Sequence, residues 1–328
     1  MSSDSPSGED KLIARFFGPI ATDPGALGLS DDAAFIKPPA GCEMVLKTDA
    51  IVGGIHFFTE DPAAAVAQKA LRVNLSDLAA KGARPLGFLV SLALPKGVDE
   101  TWLTGFASGL REDAATYKCP LFGGDTVRSP GPIMVSVATF GSVPDGRMVR
   151  RSTAKPGDHV FVSGSIGDAV LGLGLRNGAS WSLDDKQREH LLSRYLLPRP
   201  RNALAQAVLD YASASMDVSD GLAGDLAKLC RVSKVSADIE VARVPLSDAA
   251  KVVIAQDAAQ LEPALSGGDD YEILCTVPPA NVDRFRVAAM AAKTAVTDIG
   301  TIAQGEGARF CRADGTTLNF KRASFSHF

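Results

Sequence analysis

The 328-residue chain has a formal net charge of -4, with 46% hydrophobic and 22% charged residues, the balance of a soluble globular protein long enough for two domains. That charge leaves no basic footprint, which argues against nucleic acid as a partner, and no apolar run reaches membrane-spanning length. Five scattered cysteines, an odd number without C-x-x-C spacing, argue against a disulfide framework or a zinc site and for a reducing, cytoplasmic setting.

Met1 to Asp10 is Ser-rich and acidic without an apolar h-region, so no signal peptide is expected, and Ser2 to Gly8 is expected to be disordered. Glu9 to Phe17 reads as a short helix, with acids in its first turn and Leu12, Ile13, Phe16 and Phe17 on one side. Gly28 to Phe35 reads as a polar turn entering an apolar strand. After the Pro38-Pro39-Ala40-Gly41 turn, Met44 to Leu46 continue as a strand that ends at Lys47-Thr48-Asp49, and Ile51 to Phe58 follow as a glycine-containing loop. Asp61 and Pro62 supply an N-cap and a first-turn proline to an Ala-rich helix that runs to Lys81 and closes on Gly82. Pro85 to Pro95 is an apolar strand, Val98 to Tyr117 a second long helix, and Ile133 to Val143 another strand.

A basic connector with Arg147, Arg150, Arg151 and Lys155 places a boundary near Arg150, giving domains 1–150 and 151–328. The second half restarts with a strand over His159 to Val162 and the glycine turn Gly164-Ser-Ile-Gly-Asp168, which leads into a helix. Pro198-Arg-Pro-Arg201 separates two helical stretches. Ser215 to Val218 reads as a short strand, Ser219 to Cys230 as a helix, and Asp238 to Val241, Tyr271 to Val277 and Thr297 to Ala303 as further strands. The expected class is α+β for the first domain, with a mixed sheet, and α/β for the second.

The chemistry concentrates around Leu121-Phe-Gly-Gly-Asp-Thr-Val-Arg128, read as an apolar run ending in a glycine turn. Gly123 and Gly124 allow backbone N–H groups to approach an anion, and Asp125 beside them would repel it unless a divalent cation intervened. The other reading is an ordinary strand-ending turn. Further aspartates stand at element ends: Asp31-Asp32, Asp49, Asp217, Asp220 and Asp269-Asp270. Asp77 instead falls on a largely apolar helix face, where a carboxylate is costly to bury without a cation or hydrogen bonds. It reads equally as an interior polar group bonded to a neighbouring loop. Helix capping remains open for Asp217 and Asp220, and a solvated turn for Asp31-Asp32. Carboxylates in two halves suit Mg²⁺, which rests on one or two of them plus substrate phosphates, while Arg128, Arg150 and Arg151 offer neutralising charge. No P-loop, G-x-S-x-G elbow or H-E-x-x-H helix is present. Gly164-Ser-Ile-Gly167 lacks the full dinucleotide pattern.

Seven segments in order carry a resemblance: Gly28-Leu-Ser-Asp-Asp-Ala-Ala34, Thr48-Asp49 with Gly54-Ile-His-Phe57, Val73-Asn-Leu-Ser-Asp-Leu-Ala-Ala80, Phe122-Gly-Gly-Asp-Thr126, Arg151-Ser-x-Ala-Lys-Pro-Gly-Asp158, Met216-Asp-Val-Ser-Asp-Gly-Leu222 and Leu265-Ser-Gly-Gly-Asp-Asp-Tyr-Glu272. The chain resembles the thiamine-monophosphate kinases, of the superfamily that includes aminoimidazole-ribonucleotide and selenophosphate synthetases. The resemblance implies ATP-dependent phosphorylation of thiamine monophosphate by direct transfer with several Mg²⁺ ions. It also implies an N-terminal α+β domain that dimerises through its sheet and a C-terminal α/β domain that closes the cleft.

Carried over residue by residue, Asp32, Thr48, Asp49, Asp77, Asp125, Asp217 and Asp220 resemble metal ligands. Gly123, Gly124, Arg151 and Ser219 resemble ATP contacts, and His56, Asp269 and Phe325 stand where the family contacts thiamine monophosphate. No general base is implied. Lys47 stands where relatives usually carry a small hydroxyl residue, Gly53 where many are acidic, and Asp269 where a glutamate is usual. The alternatives are another ATP-using enzyme of the superfamily and a catalytically silent nucleotide-binding protein.

Overall fold

A computed structural model describes residues 11–321. The expected disorder of Ser2 to Gly8, the first residues of the expected N-terminal helix, and Phe325 lie outside that range. The chain divides into two compact units: Met1–Leu75 with Arg84–Gly146, and Ser76–Ala83 with Arg147–Phe328.

The first unit is built on β1 (Cys42–Val52), α1 (Ala63–Ala80), β2 (Arg84–Leu94), α2 (Glu100–Thr116), β3 (Leu121–Arg128) and β4 (Met134–Pro144). Its four strands form a mixed sheet in the order β1-β4-β2-β3, antiparallel except for the β2–β3 pair. Period-two alternation sorts the side chains. Val45, Ile51, Val90, Leu92, Val135 and Val137 are buried on one face. The other face holds Leu46, which is 69% exposed, together with Val127 and Met134. The Ala-rich α1 is buried along most of its length. It crosses α2 closely, because a Cβ on Gly109 would stand 2.3 Å from Ala64 O.

The α1–α2 contact is pinned by charge. Arg72 Nε donates to Asp113 Oδ2 at 2.7 Å and Arg72 Nη2 to Oδ1 at 2.8 Å, and Gln68 adds a third donor. Asp113 is fully buried, so its charge depends on that two-pronged pairing. Gly82 closes α1 as expected: its φ is +70°, and Ala83 N donates to Leu78 O at 2.9 Å.

Two local expectations change. Among the described residues no strand precedes Cys42; β1 begins after the proline turn and runs through Lys47-Thr48-Asp49 to Val52. The expected glycine turn at Gly123-Gly124 is strand. Leu89, Val90 and Ser91 pair in parallel register with Gly123, Gly124 and Asp125. A Cβ on Gly124 would fall 1.8 Å from Val90 O, so glycine there permits a close approach of two backbones rather than a bend.

The second unit has a six-stranded sheet of order β10-β7-β9-β5-β8-β6, comprising β5 (His159–Ser163), β6 (Ala214–Val218), β7 (Ser236–Glu240), β8 (Glu272–Val277), β9 (Val296–Ala303) and β10 (Gly307–Cys311). Only the β7–β10 pair is parallel. Its helices are α3 (Asp168–Arg176), α4 (Asp185–Leu196), α5 (Ala205–Tyr211), α6 (Leu222–Ser233), α7 (Asp248–Gln256), α8 (Leu261–Ser266) and α9 (Val282–Ala291). Val160, Val162, Met216, Val218, Leu226 and Leu274 share one core cluster. Both units are mixed sheets with helices, the expected class. β10 was not legible in the sequence, and α6 starts at Leu222 rather than Ser219.

All five cysteines are free. Burial pushes the Cys119 thiol up to about 12 and the Cys230 thiol to about 11, the signature of packing thiols rather than nucleophiles. Among the described residues no helix is long and apolar enough to cross a membrane.

Replacing Asp113 by Ala would strip the half-buried Arg72 guanidinium of its two-pronged partner, a loss of up to roughly 3–5 kcal/mol on the scale of a broken buried pair. Equilibrium urea unfolding is expected to register it as a lower midpoint, and an unchanged midpoint would remove the pair from the unit's stability.

Candidate active site

In the first unit a cavity of about 740 Å³ opens over β2 and β3. Ile13, Phe17, Leu29 and Phe140 give it an apolar part, and Asp32, Ser91, Gly123, Gly124 and Asp125 a polar one. Ser91 and Asp125 stand opposite each other in the β2–β3 register. Residues 23–35 are held by local bonds, Gly25 N to Asp23 Oδ1 at 2.8 Å and Phe35 N to Gly25 O at 3.0 Å. Leu27 and Leu29 both take positive φ, 52° and 58°. Left-handed backbone costs a branched residue about 1–2 kcal/mol, and such strain collects at functional sites.

Other candidate residues of this unit lie on β1 and the loop after it. Thr48 Oγ1 donates to Val137 O at 3.1 Å, and Lys47 Nζ stands 3.2 Å from Asp49 Oδ1. His56 Nδ1 accepts from Val52 N at 3.0 Å, which puts the neutral ring's proton on Nε2. The His56 carbonyl in turn accepts from the buried Lys69 Nζ at 2.9 Å.

In the second unit the chemistry gathers where β6 ends. Asp217, 5% exposed, accepts from Ser76 Oγ at 2.7 Å. The turn that follows is organised by Asp225. Its carboxylate is buried, and Oδ2 accepts from Ser219 N at 3.0 Å and Asp220 N at 2.9 Å. Lys228 Nζ bridges Asp225 Oδ1, at 2.9 Å, and Asp220. Burial pulls the Lys228 ammonium down, but its bonds to Asp220 and Asp225 outweigh that and leave it above the ordinary lysine value. For Asp225 burial wins, and the carboxyl is held above its usual range.

Asp269 and Tyr271 are tied to the same turn. Asp269 N donates to Ser219 O at 2.9 Å, and Tyr271 N to Val218 O at 2.8 Å. Both residues have positive φ, 72° and 51°, and Tyr271 Oη donates to Asp269 Oδ1 at 3.3 Å. Gly221 allows this lacing, since a Cβ there would lie 2.4 Å from the Ser266 backbone. Arg151 is exposed, and its carbonyl accepts from Ser233 Oγ at 3.0 Å.

Capping does not explain Asp220. The α6 N-cap is Gly221, with no side-chain cap bond, and Asp220 pairs with Lys228 instead. The dinucleotide-like turn is likewise closed by the chain itself: Gly167 N donates to both Asp270 oxygens, at 3.0 and 2.9 Å. Asp168, at the start of α3, accepts from His190 Nε2 at 2.8 Å and from Ser165 and Ser247. Burial pushes the Asp168 carboxyl up, and those donors overcome it and hold it below the usual carboxylate range. The turn is a structural lock.

Residues 30–143 match the family described as AIR synthase related protein, N-terminal domain, and residues 155–310 the AIR synthase related protein, C-terminal domain. Thiamine-monophosphate kinase from Caulobacter vibrioides is 42% identical over 307 residues, covering 92% of this chain and 86% of that protein. The chain belongs to the thiamine-monophosphate kinase family. The crystal structure of thiamine-monophosphate kinase from Stenotrophomonas maltophilia K279a is similar, at 36% identity and a TM-score of 0.83, over 94% of this chain and 96% of that one. AaThiL complexed with AMPPCP and TMP is 31% identical with a TM-score of 0.78, over 98% of this chain and 94% of that one.

Of the residues singled out by resemblance to thiamine-monophosphate kinases, Asp32, Gly123, Gly124 and Asp125 line one cavity. Thr48 and Asp49 lie on β1 of the same unit and do not line it. Asp77, Arg151, Asp217, Ser219, Asp220 and Asp269 belong to the second unit, where the backbone bonds above gather Ser219, Asp220 and Asp269. Among the described residues no three His, Cys, Asp or Glu side chains group to hold one metal ion. The donors themselves, carboxylates and a hydroxyl, are the hard oxygens that Mg²⁺ takes, and two of them carry an ammonium, Lys47 on Asp49 and Lys228 on Asp220, where a cation is wanted. The set fits the ion.

Sequence reasoning missed Ser76, Ser91, Asp225 and Lys228. Asp225 and Lys228 were within reach, as a carboxylate and an ammonium three residues apart on a helix.

Burial holds the Asp270 carboxyl well above its usual range, only partly offset by the Gly167 amide and by Arg194. A raised folded-state value favours the protonated form, so that contribution to stability is full below the unfolded value near 3.9 and is lost as pH rises. Asp270→Asn is therefore expected to gain thermal midpoint over the parent as pH goes from 4 to 8, and a pH-independent difference would contradict it.

Proposed function

We propose that the chain transfers the γ-phosphoryl group of ATP in line to thiamine monophosphate, giving thiamine diphosphate and ADP, with Mg²⁺ required. The observation that carries this reading is the polar part of the first-unit cavity. There Asp32 and Asp125 line the cavity together with Gly123 and Gly124, in a chain whose relatives over 98% of both lengths are named for that activity.

The difficulty of the reaction is charge. Two unit negative charges about 4 Å apart repel by roughly 4 kcal/mol at an effective dielectric near 20. The proposed ligands are Asp32, Thr48, Asp49 and Asp125 of the first unit and Asp77, Asp217 and Asp220 of the second. Mg²⁺ held by them would screen donor and acceptor phosphates, phosphate oxygens and water completing its shell. The Gly123 and Gly124 backbone, on an edge strand with alternate N–H groups unclaimed by the sheet, meets ATP phosphate oxygens, and Arg151 and Ser219 bind the same nucleotide. His56, with its proton on Nε2, donates to the acceptor, and Asp269 holds thiamine monophosphate, as does Phe325, outside the described residues. The acceptor phosphate is largely ionised at neutral pH, its second pKa being around 6, so no side chain has to remove a proton. Positioning and charge stabilisation do the work.

The exposed sheet face with Leu46, Val127 and Met134, at 69%, 48% and 37% exposure, supports a homodimer formed through the first unit, because monomers seldom leave such apolar patches bare. The setting is cytoplasmic.

Purified protein with Mg²⁺-ATP is expected to convert thiamine monophosphate to the diphosphate with matching ADP release. Turnover of a different phosphate acceptor and not of this one would overturn the assignment. Asp125→Asn is expected to lose more than about 100-fold in turnover, beyond the usual loss for an outer-shell partner, with an unchanged thermal midpoint; wild-type-like turnover would remove Asp125 from the site. Leu46→Glu is expected to halve the mass read by light scattering, and a mass of 34.2 kDa for the parent would refute the dimer.

A further inference from the structure

The end of α1 divides with the second unit, and two of its side chains bond to β6. Ser76 Oγ donates to Asp217 Oδ2 at 2.7 Å, and Lys81 Nζ donates to Ser215 O at 2.6 Å. Five helix residues rise about 7.5 Å and two strand residues about 6.6 Å, so the two bonds match in spacing and clamp the helix end along the strand. Ser76 is 1% exposed and Asp217 5%, which leaves little water to compete for the bond. A serine inside a helix ordinarily turns its hydroxyl back to a carbonyl of the preceding turn; this one donates away from its helix to a carboxylate.

We infer that Ser76 is a positioning residue for two carboxylates and so sets how tightly the site grips its cation. This rests on the Mg²⁺-dependent kinase reading. The terminal torsion of an aspartate is broad, so the Asp217 carboxylate plane needs an external hold. The Ser76 hydroxyl supplies one and occupies a single position of the roughly four on a carboxylate. Successive helix residues point about 100° apart, so a helix rolled to aim Ser76 at Asp217 also fixes the direction of Asp77, the next residue. One hydroxyl thereby orients Asp217 through a bond and Asp77 through the backbone.

The test measures Mn²⁺ binding by electron paramagnetic resonance, with AMPPCP present, on the full chain. Ser76→Ala is expected to weaken Mn²⁺ binding by about 10-fold or more, the usual loss when an outer-shell partner is removed, and Ser76→Thr to restore most of it. Lys81→Met removes the bond to the Ser215 carbonyl and keeps the Ser76 hydroxyl, so it is expected to lower the thermal midpoint and to cost less Mn²⁺ affinity than Ser76→Ala. Wild-type affinity in Ser76→Ala, or an equal loss in Lys81→Met, would overturn the inference. If the alanine variant does not fold, Ser76→Cys, of similar size but a weak donor, decides it in the same way. Parent protein that binds no Mn²⁺ with nucleotide would sink the kinase reading and this inference together, whereas failure confined to the variants sinks the inference alone.

Discussion

A carboxylate taken out of water must be given a cation or hydrogen-bond donors, and the second unit is arranged around that demand. Asp217, Asp225 and Asp270 are all buried, close in sequence to β6 or the loop laced to it. Each meets it differently. Asp225 has two backbone amides and Lys228, Asp217 has the Ser76 hydroxyl, and Asp270 has the Gly167 amide and is pushed by burial toward its neutral form. Those solutions dictate the turn between β6 and α6, the shape of the 267–271 loop, and the attachment of residues 76–83 to this unit.

The first unit meets the same demand in two ways. Asp113 is buried and answered by Arg72 and Gln68, a structural settlement. Asp32 and Asp125 are exposed at a cavity, where water can solvate them. The first arrangement stabilises and the second leaves the carboxylates open to solvent, and the contrast separates scaffold from candidate site better than any single aspartate does.

Much of this was legible from local signals. The Ala-rich helix closed by Gly82 needed only composition and a glycine, and the second long helix emerged within two residues of its ends. Gly123-Gly124-Asp125 misled because its residue types are those of a turn, whereas its conformation is set by Val90, more than thirty positions away, and by the room a missing Cβ leaves for a second backbone. Asp220 resembled a cap until Gly221 proved to hold that place. Ser76 carried no signal at all: its partner is 141 positions distant, and a serine in a helix is unremarkable until the strand it faces is known.

The buried thiols have a consequence of their own. Cys119 belongs to the first unit and Cys230 and Cys275 to the second, all three shielded from solvent and held as thiols by burial. A reagent that modifies only exposed thiolates can reach them when the surrounding structure opens. The chain thus carries its own reporters of local unfolding, one in the first unit and two in the second, and the rate at which each is modified would reveal whether nucleotide steadies the two units equally.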